Sequence, residues 1–311
     1  MNGDHALANM DLLARPIIQI GAGRSGSTLF TRLLNSHPRI QFFGETQFLL
    51  PRLWQGVWEN SQWFNHLNFP KYFPSYPTQL RSSNDATAAL RNSIDESMMK
   101  VQRERVARLL CQLFGDILQV GNDVDAWGYK EVWNGNKAET RHCWETYNSV
   151  FPEATWVHLV RCPFDFLKSV ARWNVKPLTK KFVVNVLSQW MQMIEWNRKQ
   201  STRRKFIEIR YEDLVSDPRK ALLPVFSMAE IEWSDDCLTA LSSSVMHSRE
   251  GSSFPAAPPL TRKQLKGIVA QVAGLENCLD ELGYDLPETF PREIMKTNTR
   301  SGRSIKDLFI R

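Results

Sequence analysis

The chain reads as an α/β protein: a P-loop-type parallel sheet of about five strands, with helices on both faces and a largely helical insertion. Three observations predict this. Short apolar runs alternate with segments of helical periodicity, the pattern of a parallel sheet covered on both faces. A glycine-rich octapeptide, GAGRSGST at 21–28, stands between the first run and the first helical segment. Finally, Arg24, Glu45, Lys130 and Arg161 each fall at or just past the end of a run. Ligands of open α/β sheets bind there.

The candidate strands are 17–21, 40–43, 126–130, 155–160 and 205–210. Pro16, Ile17, Ile18, Gln19 and Ile20 form the first run, read as a buried strand. Leu29, Phe30, Leu33 and Leu34 then fall on one helix face, predicting a helix over 27–36. Helical patterns recur at 136–149, 163–173 and 181–200. Between the second and third strands lies an insertion, 54–120. Its first part is aromatic (Trp54, Trp58, Trp63, Phe64, Phe69, Tyr72, Phe73, Tyr76), and 84–118 reads as helix. The aromatics suit either an anchor to the core or a lid over an acceptor site. No Gly/Ser- or Pro-rich linker divides the chain, so a single domain over 1–311 is expected. Residues 296–311 read as a basic, solvated tail.

The octapeptide is a phosphate cradle by its chemistry. Glycines let the backbone approach an anion, successive N–H groups point inward, and the helix N-terminus adds partial positive charge. Ser25, Ser27 and Thr28 add hydroxyl donors. Gly21, Gly26 and Thr28 fit the Walker spacing, but Ser27 stands where the lysine belongs. Gly21, Gly23 and Gly26 also fit G-x-G-x-x-G, and Glu45 lies where a ribose-binding acid of a dinucleotide enzyme falls. A second motif arbitrates, RCPFDFLKS at 161–169. Arg161 can make a forked contact with phosphate oxygens, and Ser169 can donate a hydroxyl. An arginine beside a phosphate loop without metal ligands suits a nucleotide carrying a 3′-phosphate.

With these two motifs the chain resembles the sulfotransferases that use 3′-phosphoadenosine 5′-phosphosulfate (PAPS). The pattern is closest to the tyrosylprotein sulfotransferase branch and its bacterial relatives. The resemblance rests on PIIQIGAGRSGSTLFTRLLNSHPRIQFFGETQFLLPRL (16–53), YKEVW (129–133) and RYEDLVSDP (210–218). It implies that Arg24, Ser25, Gly26, Ser27 and Thr28 hold the 5′-phosphosulfate and that Arg161 and Ser169 hold the 3′-phosphate. It implies too that Lys130 is the catalytic lysine and that Tyr211 lies near the nucleotide. The family's further arginine would fall at Trp173, which puts a contact from Arg172 in doubt. A late loop closing over the nucleotide is sought in 248–266.

Sulfuryl transfer needs a base for the acceptor hydroxyl, for which Glu45 is the candidate, since a carboxylate in a desolvated site can work near neutrality. Arg24 and Lys130 would face the oxygens where charge develops. Glu45 as a structural acid and Lys130 paired with Glu131 are the plain alternatives. Among the histidines, His37 and His158 read as structural, and His66 lies in the insertion within reach of an acceptor.

Composition excludes several classes. Of 311 residues, 42% are hydrophobic, enough for a substantial core, and no apolar run is long enough to span a membrane. The net charge of +6 is interspersed, with no basic helix or base-reading motif, so nucleic acid is not an expected partner. A nucleotide's phosphates, each about −1.5 to −2, account for local positive charge. The five cysteines are widely spaced without a C-x-x-C pair, so no metal site is expected. The N-terminus lacks a signal-peptide core, which points to the cytoplasm. The expectation is an enzyme moving a sulfuryl group from PAPS to a hydroxyl, or a nitrogen, of a small-molecule acceptor, releasing 3′-phosphoadenosine 5′-phosphate (PAP). The competing readings are an NAD(P)-dependent oxidoreductase and a non-catalytic nucleotide-binding module.

Overall fold

The computed structural model describes residues 11–59, 85–132, 137–174, 179–201, 205–242 and 257–292. In chain order its elements are β1 (Ile17–Gly21), α1 (Ser27–Asn35), β2 (Ile40–Glu45), α2 (Leu49–Trp54), α3 (Asp85–Leu118), β3 (Ala126–Val132) and α4 (Lys137–Val150). There follow β4 (Thr155–Val160), α5 (Pro163–Asn174), α6 (Lys180–Ser201), β5 (Phe206–Arg210), α7 (Tyr211–Ser216), α8 (Pro218–Met228) and α9 (Thr239–Ser242). Strand β6 (Ala257–Thr261), α10 (Arg262–Val269), α11 (Leu275–Glu281) and β7 (Thr289–Arg292) complete the chain.

The chain divides into two compact units. The first comprises the described residues of Met1–Arg15, Phe48–Asn122 and Arg141–Pro152. Helix α2 runs on into a π-helical turn at Gln55–Glu59. The buried Trp54 packs against Trp58 at 5.7 Å between ring centres, and the Arg103 guanidinium lies 5.6 Å over Trp54. Arg103 also donates from Nη2 to Ser149 Oγ at 2.7 Å, tying α3 to α4. The other aromatics of 54–76 lie outside the described residues, as does His66.

The second unit comprises Pro16–Gln47, Asp123–Thr140 and the described residues from Glu153 onward. It holds a five-stranded sheet in the order β2-β3-β1-β4-β5, with every pairing parallel. Strand β1 is buried at all five positions because it has a strand on each side and helices on each face. On one face, Phe30, Leu33 and Leu34 of α1 pack with Val157 and Leu159 of β4 and with Leu222, Val225 and Phe226 of α8. On the other, Val160 meets Phe164, Leu167 and Val170 of α5, Val183 and Leu187 of α6, and Leu265 and Leu275 from α10 and α11. Each such side chain contributes about 1.5–3 kcal/mol on full burial. The helix face expected from the apolar spacing of 27–36 is therefore a face that packs.

The strand order places β3 to one side of β1 and β4 to the other, a switch point at which α/β sheets bind ligands. Two features depart from expectation. Strand β2 reaches Glu45, with a bulge between Phe43 and Glu45 where it pairs with β3. Residues 257–261 form β6, antiparallel to β7, and 262–269 form a helix opened by a capping box of Thr261 and Gln264. The described part of the segment sought as a late loop is thus regular structure; 248–256 lies outside the described residues. No helix among the described residues is long and apolar enough to cross a membrane.

Candidate active site

The phosphate loop occupies the turn between β1 and α1. Gly21, Arg24 and Gly26 have left-handed φ values of 154°, 75° and 102°. Side chains are excluded at both glycines. A β-carbon at Gly21 would stand 2.8 Å from the Leu159 carbonyl oxygen, and one at Gly26 would collide with the Tyr211 ring. Helix α1 starts at Ser27 with no side-chain cap and no acidic residue in its first turn. Its N-terminal N–H groups and partial positive charge favour an anion. Ser25 and Ser27 are buried and Thr28 is exposed at the helix start. Ser25 Oγ makes no hydrogen bond among the described residues.

Arg24 joins this loop to the second motif. Its Nε donates to Ser169 Oγ at 3.0 Å, and its carbonyl oxygen accepts from Arg161 Nη1 at 3.1 Å. Arg161 in turn packs its guanidinium 4.4 Å over the Tyr211 ring. One aromatic ring therefore lies against both Gly26 and Arg161. Burial, then the like charge of Arg161, holds the Arg24 guanidinium below its usual range. Two guanidinium groups held together in this way are an arrangement an anion would relieve. Arg161 Nε is buried and makes no hydrogen bond among the described residues.

Glu45, the last residue of β2, meets Lys130 of β3, with Nζ 3.3 Å from Oε1. The bulge sets this geometry. It inserts Gly44 as an extra residue, so that Glu45 rather than Gly44 registers with Lys130. Lys130 does not pair with Glu131, whose side chain is buried on the opposite face and accepts the Thr46 hydroxyl. Strand β3 separates β2 from β1. At about 4.8 Å per strand, Glu45 ends a strand roughly 10 Å from the glycine loop's own strand. A dinucleotide fold needs its ribose-binding acid on the neighbouring strand, so this order removes the structural ground for that reading.

Sequence reasoning passed over Glu212. It accepts from the Cys162 main-chain N–H at 3.0 Å and from the Tyr284 hydroxyl at 2.8 Å. It thereby ties the Arg161 segment to the chain after α11. Burial and then the Glu212 charge push the Tyr284 hydroxyl well above its usual range. The acid after the tyrosine in RYEDL was the available signal. The histidines separate by environment. His37 Nδ1 accepts from Arg39 N–H at 3.1 Å, which leaves Nε2 to donate to the Glu232 carbonyl at 3.0 Å. His158 is buried, with Nδ1 3.1 Å from Glu208 Oε2. The Arg172 side chain lies outside the described residues.

No curated protein matches the chain. Among solved structures, the chain is similar to the sulfotransferase domain from the Synechococcus PCC 7002 olefin synthase: 18% identity, TM-score 0.48, covering 88% of this chain and 96% of that one. It is similar to sulfotransferase STF9 from Mycobacterium avium at 16% identity and TM-score 0.44, covering 91% and 80%. Mouse sulfotransferase SULT7A1 complexed with PAP is similar at 10% identity and TM-score 0.41, covering 82% and 74%. The model of the Sulfotransferase family matches residues 16–235, which take in the whole parallel sheet and every residue of the site. The chain belongs to the sulfotransferase family.

Proposed function

We propose that the protein transfers a sulfuryl group from PAPS to a hydroxyl, or a nitrogen, of a small-molecule acceptor. The observation that carries this reading is the Arg24–Arg161 link. It joins a lysine-free glycine loop to an arginine at the end of the adjacent strand. The donor set suits a nucleotide with phosphates at both its 5′ and 3′ positions. Ser25 Oγ and Arg161 Nε, buried and without a hydrogen bond among the described residues, are donors for such phosphates, and the glycine positions leave no room for side chains. Ser25, Gly26, Ser27 and Thr28 would hold the 5′-phosphate, and Arg161 with Ser169 the 3′-phosphate. Tyr211 stacks beneath Arg161 and keeps its fork in place.

PAPS supplies, when bound, a sulfuryl group on a phosphate leaving group. Glu45 takes the acceptor's proton as the new S–O bond forms. Lys130, held beside Glu45, and Arg24 offset the negative charge left on the phosphate as the old S–O bond breaks. The three cations Arg24, Lys130 and Arg161 supply the charge stabilisation, so we infer that no metal is required. We place the enzyme in the cytoplasm, in keeping with five cysteines, four of them buried, that form no disulfide among the described residues.

A thermal-shift comparison of PAP, AMP, NADP and ATP tests this. PAP should stabilise the protein most. Equal stabilisation by AMP would remove the 3′-phosphate site, and preference for NADP would restore the dinucleotide reading. Mass spectrometry of acceptor panels incubated with PAPS then identifies the acceptor class. A chelator should leave turnover unchanged, and loss restored by magnesium would overturn the metal-free mechanism.

A further inference from the structure

Gln19 is the only polar side chain of the central strand β1, and it is fully buried. Its neighbours Ile17, Ile18 and Ile20 are what such a strand ordinarily carries. Neither Oε1 nor Nε2 of Gln19 makes a hydrogen bond among the described residues. A buried amide without a partner is costly, so its presence calls for a partner that arrives later.

The geometry locates that partner. Gly21 follows Gln19 by two residues on the same face of the strand, and it has no side chain to fill the space. The point where a β-carbon of Gly21 would stand is 3.5 Å from Gln19 Nε2 and 3.1 Å from Ser25 Oγ. Ser25 is 2% exposed, and its Oγ is likewise without a hydrogen bond among the described residues. Two buried polar groups, both unsatisfied, thus converge on one point beneath the phosphate loop.

We propose that Gln19 is a positioning residue for the phosphate loop. When the phosphate binds, its Nε2 donates to Ser25 Oγ, which turns the Ser25 hydroxyl hydrogen toward an oxygen of the bound 5′-phosphate. The donor–acceptor balance closes at the hydroxyl. A hydroxyl has one hydrogen to give and lone pairs to accept with. With a lone pair taken by the amide, the hydrogen is left for the anion. Each bond in such a chain polarises the next, and the anion at its end completes the Ser25 hydroxyl. The glycine at 21 keeps the path between them open. This relay rests on the reading of 24–28 as the donor's phosphate loop.

A double-mutant cycle on the full-length protein, read by calorimetric titration with PAP, tests it. Gln19→Leu and Ser25→Ala should each weaken PAP binding by about 5- to 20-fold. The double variant should bind no more weakly than Ser25→Ala alone, because the amide acts only through the hydroxyl. Gln19→Glu should lose more than Gln19→Leu, since its carboxylate repels the phosphate. Without ligand, Gln19→Leu should melt no lower than the parent, because an unsatisfied amide gives way to an apolar side chain. Should Gln19→Leu fail to fold, Gln19→Met carries the same test. Multiplying losses in the double variant, an unchanged PAP affinity, or a clearly lower ligand-free melting temperature would each overturn the relay alone. Failure of the parent protein to bind PAP would overturn the donor reading and the relay with it.

Discussion

Arg161 donates from Nη1 to the main-chain carbonyl of Arg24 at 3.1 Å. The residue that follows β4 therefore braces the non-glycine residue of the phosphate loop whose backbone is left-handed. Such a conformation costs about 1–3 kcal/mol and persists where the surroundings enforce it. The bracing couples two sites that sequence treats as separate motifs.

That coupling shapes the outcome of Arg161→Ala. Loss of a charge-assisted contact with the 3′-phosphate should cost about 1.5–3 kcal/mol. Loss of the brace on Arg24 should also weaken the 5′ site. PAP affinity should therefore fall by at least about tenfold more than affinity for adenosine 5′-phosphosulfate, which lacks the 3′ group. Equal losses in titrations of the two ligands would mean that Arg161 acts only through the Arg24 loop.

Gly26 is answerable to Tyr211. A methyl group at this position meets the tyrosine ring while the backbone stays at φ 102°. Gly26→Ala should destabilise the fold by about 1–3 kcal/mol and displace the ring on which Arg161 rests. Adding Tyr211→Ala should restore part of the stability and none of the PAP affinity. Urea unfolding and PAP titration of the single and double variants check this. Full recovery of binding would remove Tyr211 from the site.

The sheet was legible because its signals are local. Apolar runs, helix spacing and the glycine loop each survive within a few residues, and the strands bring Glu45 to Lys130 and Arg161 to Arg24. What was hidden depends on pairing. The bulge at Gly44 cannot be read from IQFFGE, yet it decides that Glu45 meets Lys130. Gln19 passes for one position in an apolar run until its burial and lack of partners are seen together. Strand β6 escaped because Pro258 and Pro259 lack ladder donors, which argues against a strand in sequence. The Glu212–Tyr284 contact joins residues too far apart in sequence for any spacing rule to reveal.

A pH-dependent contribution to stability arises from Glu208. Burial would raise its pKa, but hydrogen bonds from His158 and Arg198 outweigh it and pull the carboxyl from 4.5 down to about 2. A depressed folded pKa means that the stabilisation is present above about pH 4.5 and is lost as pH falls toward 2. The contribution is about 3 kcal/mol at most. Glu208→Gln should therefore unfold more easily than the parent in urea at pH 7, with the gap constant to about pH 5 and shrinking below it. A gap that persists undiminished at pH 3 would show that the amide loses packing rather than charge.

Glu45 separates chemistry from cofactor binding. It ends an edge strand with β3 between it and the strand carrying the phosphate loop, and it is oriented by Lys130 at 3.3 Å. Glu45→Gln keeps its size but cannot take a proton at neutral pH. The value of kcat should fall by about 10²–10⁴-fold, the range for a positioned base. PAP affinity should change little, because the carboxylate is assigned to the acceptor. Lys130→Ala should also lower kcat, and the two losses should not multiply if the ion pair works as a unit. Near-normal turnover in Glu45→Gln would place the base elsewhere, with His66 the next residue to test.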